Sequence, residues 1–229
     1  MTSETYNMDC MTFMKECNDK QFDLAIVDPP YGIQELTGRE VNNGRGQLKR
    51  RAFNRGEKKF NEWDKAPSKE YFAELFRVSK NQVIFGGNYF DLPPVRGFII
   101  WDKCQPFPNF SACEFAWTSF NVPAKIFKFD NRTTGKIHPT QKPVELYEWL
   151  LRNFAKAGDS ILDTHLGSGS SRIAAYEMGL ILPARRLIRN ILRRRKSVLK
   201  NIAGSSIYLS LPADKYKAVF LYNNFLRSK

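Results

Sequence analysis

The sequence predicts an α/β domain: a doubly wound, mostly parallel sheet with an antiparallel hairpin at one edge. Three observations predict it. The apolar run Phe22-Asp23-Leu24-Ala25-Ile26-Val27 is short, rich in branched residues and closed by Pro29-Pro30, the pattern of a strand buried on both faces. A second such run, Ser160-Ile161-Leu162-Asp163, enters a turn carrying Gly167 and Gly169, and a helical pattern follows. Strand, acidic residue, glycine turn and helix is the order in which open α/β sheets build ligand sites at their carboxyl edge. Finally, Gly97-Phe98-Ile99-Ile100-Trp101 and Cys113-Glu114-Phe115-Ala116-Trp117 are strand-like runs on either side of the proline-bearing turn Gln105 to Asn109, which predicts the hairpin.

At 229 residues with 42% hydrophobic content, the chain can bury one compact core. The formal net charge of +13 points to a polyanionic partner, but most of the excess is terminal. Residues 180–229 hold 12 of the 36 Lys and Arg and only one of the 23 acids, Asp214. The cysteines, Cys10, Cys17, Cys104 and Cys113, show no CxxC spacing, and only His138 and His165 could join them around a metal. Reduced thiols, no metal and a cytoplasmic location are therefore expected. No signal peptide is expected before Met11, and no apolar run approaches membrane-spanning length.

In chain order, Glu4 to Asn7 reads as a brief strand, and Asp9 is the N-cap of a helix through about Glu16, with Met11, Phe13 and Met14 facing the sheet. After the strand ending at Asp28 comes a polar excursion, residues 32–62, with Arg45, Lys49, Arg50 and Arg51. Beside a strand end that binds substrate, such a basic loop can follow a phosphate backbone; a solvated surface insertion is the plainer alternative. Tyr71, Phe72, Leu75 and Phe76 mark a helix from Ser68 to Ser79, and Gln82 to Phe85 a further buried strand ending in Gly86-Gly87-Asn88-Tyr89. The aromatics of the hairpin region are expected in the core. Lys136-Ile137-His138-Pro139-Thr140-Gln141-Lys142-Pro143 then precedes a helix whose first residue is Pro143 and whose apolar face is Val144, Leu146, Tyr147, Leu150 and Leu151. Its free N–H groups could meet an anionic group there. The last helix runs from about Ser171 to Met178. The glycine turn lacks both the spacing of a dinucleotide fingerprint and the lysine of a P-loop, so hydride transfer and nucleotide hydrolysis are not indicated.

The tetrapeptide Asp28-Pro29-Pro30-Tyr31 has a use for each residue if the substrate is a planar base carrying an amino group. Asp28 can accept one N–H and the Pro29 carbonyl the other, while Tyr31 can stack on the ring. Two successive prolines stiffen the turn, so the acceptors are placed before substrate arrives. The plainer alternative is an acidic, proline-rich turn that closes a strand.

These residues resemble a family. Asp28 to Tyr31, the octet ending Thr140-Gln141-Lys142-Pro143, and Asp163 with Gly167-Ser168-Gly169, in that order, are similar to the motifs of the amino-group DNA methyltransferases of the permuted β class. The likeness runs from about Tyr6 to Gly179. It implies a Rossmann-like methyltransferase sheet and S-adenosyl-L-methionine as cofactor. The implied reaction is methyl transfer to an exocyclic amine, most often adenine N6 and otherwise cytosine N4, on a base flipped from double-stranded DNA because the amine is otherwise unreachable. It implies Asp28, Pro29, Pro30 and Tyr31 as the catalytic turn. The cofactor's amino-acid end falls near His138, Thr140, Lys142, Asp163, Gly167 and Ser168, and its adenine near Asp9 and Cys10. Trp101-Asp102-Lys103 and the loop bearing Asn88 are implied as site walls and contacts to the target strand. DNA methylation within restriction-modification, with a cognate restriction endonuclease as partner, belongs to the same implication. His165 departs from the pattern, which usually has proline or phenylalanine there, and is expected to be structural.

A larger departure starts at Leu180. The family's next strand ends in an acid that binds the cofactor ribose, yet this chain has no Asp or Glu between Glu177 and Asp214. Back-translation of Leu180 to Ser197 with permitted codons, read two bases later, gives Asp-Phe-Thr-Gly-Pro-Glu-Ile-Asp-Lys-Glu-Tyr-Phe-Glu-Ala-Gln-Glu-Lys, which looks like the missing strand and helix and supplies the acid. The expected organisation is a methyltransferase domain at 1–179 and a basic, out-of-frame tail at 180–229, in which Leu180-Ile181-Leu182 could still pair as a strand. The alternative is a basic DNA-facing helix with Arg193, Arg194 and Arg195 on phosphates. A DNA-binding remnant impaired in catalysis is the matching alternative function.

Overall fold

The structure, a computed structural model, describes residues 2–6, 8–33, 64–105, 111–130, 141–178 and 217–221. The basic positions Arg45, Lys49, Arg50 and Arg51, the octet residues His138 and Thr140, and the tail from residue 180 to 216 lie outside the described residues.

The described elements are β1 (Thr2–Tyr6), α1 (Cys10–Glu16), β2 (Phe22–Val27), α2 (Lys69–Val78), β3 (Ser79–Phe85), a 3-10 turn (Gly87–Tyr89), β4 (Phe98–Asp102), β5 (Cys113–Thr118), β6 (Lys125–Lys128), α3 (Val144–Phe154), β7 (Ser160–Asp163), α4 (Ser170–Glu177) and β8 (Lys217–Leu221). The strands form one sheet in the order β1-β8-β7-β2-β3-β5-β4-β6. Every pairing is parallel except the two made by β5, so β5 alone runs against the rest. The expected α/β class holds.

β2 and β7 are direct neighbours, with Leu24 opposite Ile161 and Ala25 opposite Leu162. Asp23 fixes that register. Its Oδ2 accepts the Ser160 N–H and hydroxyl, each at 2.8 Å, and its own N–H donates to Ser160 Oγ at 3.0 Å. β2 leads through α2 to β3 on one side, whereas β7 leads into α4 and away on the other. The strand ends at Val27 and Asp163 therefore flank the crevice where the winding reverses, the place where open sheets bind ligands.

Side chains of β2 alternate between two cores. Leu24 and Ile26 join Val83, Phe85, Leu146, Tyr147 and Leu150 under α3 and α4; Ala25 and Val27 join Met14, Tyr71, Leu75 and Ile84 under α1 and α2. Asp9 caps α1 by accepting the Thr12 N–H at 2.9 Å. α1 buries Cys10 and Met14 most deeply, with Cys17 just beyond, and the expected Met11 and Phe13 are half-buried against the same core. The spacing i, i+4, i+7 marks the line of the helix nearest the sheet. The hairpin β4–β5 is not the edge: β6, which carries no strong strand pattern, pairs parallel to β4 outside it. Pro143 is the N-cap of α3 rather than its first residue, and α4 begins at Ser170. Leu180 to Leu182 are outside the described residues, and the strand seated between β1 and β7 is β8.

Candidate active site

β2 is buried at five of six positions and ends in a turn held from a distance. Asp64 gathers the backbone N–H groups of Tyr31, Gly32 and Ile33 at 3.1, 3.0 and 3.0 Å. Sequence reasoning missed Asp64, which has no local signal. Gly32 sits at φ +68°, and a Cβ there would lie 2.9 Å from that of Ala66.

The Tyr31 hydroxyl donates to Asp28 Oδ1 at 2.8 Å, and its ring stacks on Tyr89 with centroids 5.3 Å apart. Gly86, at φ +69°, makes room for the ring: a Cβ there would stand 2.3 Å from Tyr31 Cε1. Burial, then Asp28 and Glu114, raise the Tyr31 hydroxyl's pKa well above the usual tyrosine value, so it remains a donor. Lys142 Nζ lies 2.6 Å from Asp28 Oδ2, 3.1 Å from Glu114 Oε2 and 3.2 Å from the Tyr31 oxygen. Burial disfavours this ammonium, but the carboxylates of Asp28 and Glu114 more than offset that and hold its pKa above the lysine norm. Expected at the cofactor's amino-acid end, Lys142 thus has its charge on Asp28. Lys103 Nζ is 2.8 Å from Glu114 Oε1. Burial raises the Glu114 pKa, yet Lys142 and Lys103 bring it below the usual glutamate value.

On the neighbouring strand, Asp163 is 2% exposed. Its Oδ2 accepts the Ser171 hydroxyl at 2.5 Å and its Oδ1 the His165 N–H at 2.8 Å. Burial pushes its pKa up to about 7 against those two bonds. Gly167 and Gly169 take φ +50° and +81°, and Gly169 caps α4. Ser168 and Ser170 share a hydroxyl contact at 3.1 Å, and Gln141 Nε2 donates to Ser170 Oγ at 3.4 Å. Consecutive residues thus touch the two motifs: Gln141 the glycine turn, Lys142 the tetrapeptide.

His165 is tied into a chain in which the Tyr71 hydroxyl meets Thr164 Oγ1 at 2.7 Å and Thr164 Oγ1 meets His165 Nδ1 at 2.8 Å. Burial lowers its pKa to about 4, with Asp9 opposing, so the ring is neutral near pH 7. Cys10 is buried at the start of α1, and burial, then Asp9, raise its thiol pKa to about 11. Asn88 is exposed on the 3-10 turn. Among the described residues no group of three His, Cys, Asp or Glu is placed to hold a metal, and no helix is long and apolar enough to cross a membrane.

A zwitterionic amino-acid end needs an acceptor for its ammonium and N–H donors for its carboxylate. Asp163 can supply the first, and the glycine turn opening α4 the second, so these residues fit such a cofactor. Asp28 and Asp163, at adjacent strand ends, place an amine acceptor beside that seat.

Residues 117–181 match a family model described as DNA methylase. The type II methyltransferase M2.MboI of Moraxella bovis is 26% identical, over 74% of this chain and 77% of its own length. M2.DpnII of Streptococcus pneumoniae is 24% identical, over 75% and 80%. Among solved structures, the M1.HpyAVI–SAM complex superposes with a TM-score of 0.54 at 15% identity, over 97% of this chain and 94% of that one. The cytosine-N4-specific PvuII DNA methyltransferase does so with 0.53 at 12%, over 98% and 83%. Both share the fold.

Proposed function

We infer that this chain, which belongs to the S-adenosylmethionine-dependent amino-group DNA methyltransferases, methylates adenine N6 on a base flipped out of duplex DNA. The observation that carries the reading is the Asp28–Tyr31 turn standing at the end of β2, next to the strand that ends in Asp163. When bound, the cofactor supplies an electrophilic methyl on a sulfonium. The chain's own contribution is alignment. Asp28 and the Pro29 carbonyl accept the amine hydrogens and turn the nitrogen lone pair toward the donor, and Tyr31 stacks on the base. Asp163, Gly167 and Ser168, with His138 and Thr140 of the octet, hold the donor's amino-acid end, and Asp9 and Cys10 border its adenine. Arg45, Lys49, Arg50, Arg51 and Asn88 contact the DNA. The naming of two relatives as type II methyltransferases supports a cognate restriction endonuclease as partner, and reduced thiols support a cytoplasmic setting.

Transfer of labelled methyl to mixed-sequence duplex DNA, with the labelled nucleoside identified after digestion, tests the substrate atom. Label on adenine is the expected outcome. Label on cytosine would assign N4 instead, and retained DNA binding with no label would mark an impaired remnant.

The tail belongs to the same reading: residues 180–229 are out of frame. β8 sets Phe220 opposite Asp163, and no acid lies from Lys217 to Leu221. The strand beside the cofactor turn thus offers the ribose no carboxylate, a loss of about 1–3 kcal/mol in affinity. Gene sequencing decides the frame. Calorimetry on a restored-frame variant tests the consequence, and equal affinity in both chains would refute it.

A further inference from the structure

The charge beside the tetrapeptide is a row of four groups: Lys103, Glu114, Lys142 and Asp28. Glu114 Oε1 lies 2.8 Å from Lys103 Nζ, and its Oε2 lies 3.1 Å from Lys142 Nζ, which is 2.6 Å from Asp28 Oδ2. The Lys142 side chain is 5% exposed, so its ammonium is divided between two carboxylates rather than solvated. Its other neighbours are the Tyr31 and Tyr147 hydroxyls and the face of Phe85, 4.7 Å away. Both oxygens of Asp28 are occupied, one by Lys142 and one by Tyr31. Each oxygen keeps a further lone pair, so an incoming amine competes with these two partners for the carboxylate and weakens the hold of either. If it displaced the ammonium with no second anion at hand, a buried charge would stand alone, which is strongly unfavourable. Glu114 Oε2 is that second anion. It is sealed from solvent and makes no aligned hydrogen bond, so it has capacity to take a stronger share of Lys142.

We propose that Glu114 is a positioning residue for Asp28: it retains Lys142 while the base amine docks, so that Asp28 can loosen its ammonium contact and accept the amine. This rests on the methyl-transfer reading and adds Glu114 to it.

The first readout needs no turnover. In the unliganded full chain carrying 13Cε-labelled lysine, with the Lys142 resonance assigned through Lys142→Arg, Glu114→Gln is expected to lower the titration of Lys142 by about one pH unit or more. An unchanged titration overturns the proposal. The second readout is transfer. Glu114→Gln is expected to lower kcat about 10- to 100-fold with the KM for the methyl donor within about twofold, and Glu114→Asp to recover most of it. In a Lys142→Met background the Glu114→Gln change should add little, because it acts through Lys142. A raised donor KM with kcat intact would put Lys142 on the donor side and overturn the proposal. Should Glu114→Gln fail to fold, Glu114→Asp carries both readouts with smaller displacements. A wild type that transfers nothing to any duplex, with the Glu114-dependent titration intact, counts against the methyl-transfer reading alone.

Discussion

Asp23 and Ser160 exchange three hydrogen bonds across the β2–β7 boundary, at 2.8, 2.8 and 3.0 Å. They sit where the two strands begin, so the pair sets how far each strand travels before it reaches the crevice. Asp23→Ala is expected to lower stability by about 1–3 kcal/mol in denaturant unfolding, since charge-assisted bonds are lost from a partly exposed carboxylate. Ser160→Ala should be non-additive with it, with a coupling of about 0.5 kcal/mol or more. Strictly additive losses would mean that the pair does not set the register.

Asp28→Ala should reduce methyl transfer by on the order of 10³-fold, the effect of removing a preorganised acceptor. Far-UV dichroism should be retained, because Lys142 keeps Glu114 as partner. Unchanged turnover would remove Asp28 from the amine.

The turn between Asp163 and His165 yields opposing pH dependences. The folded Asp163 pKa, about 7, stands above its ordinary 3.8, so its contribution to stability is full below pH 3.8 and is lost as pH rises through 7. The folded His165 pKa, about 4, stands below its ordinary 6.5, so its contribution is full above pH 6.5 and is lost as pH falls through 4. Between about pH 4 and 6.5 the two slopes oppose each other. Denaturant midpoints across that window should fall with rising pH in His165→Phe and rise with pH in Asp163→Asn. Parallel profiles in wild type and both variants would contradict the assignment.

Gly86→Ala should cost about 1–3 kcal/mol, from a left-handed backbone and a Cβ forced against a ring. Because that ring is Tyr31, transfer should fall alongside stability. A crystal structure of the variant with Tyr31 unmoved would refute the steric argument.

Much of this was legible in the sequence because it is local. The β2 run and its proline turn, the β7 run with its glycines, and the faces of α2 and α3 announce themselves within a dozen residues. What was not legible depends on distance or brevity. Asp64 caps a turn 31 to 33 residues before it, and Lys142 reaches Tyr31 across 111, so neither contact leaves a spacing to read. On α1 the expected Met11, Phe13 and Met14 do pack on the core, but Cys10 and Cys17 join them there, and seven residues are too few for periodicity to show it. β6 alternates half-buried and exposed positions on an edge, where hydrophobic patterning fades.

Gln141 and Lys142 are joined by one peptide link, about 3.8 Å from Cα to Cα, yet they grip opposite banks of the crevice. The glycine turn and the tetrapeptide, set on two different strands, are thereby joined through a single short stretch of chain.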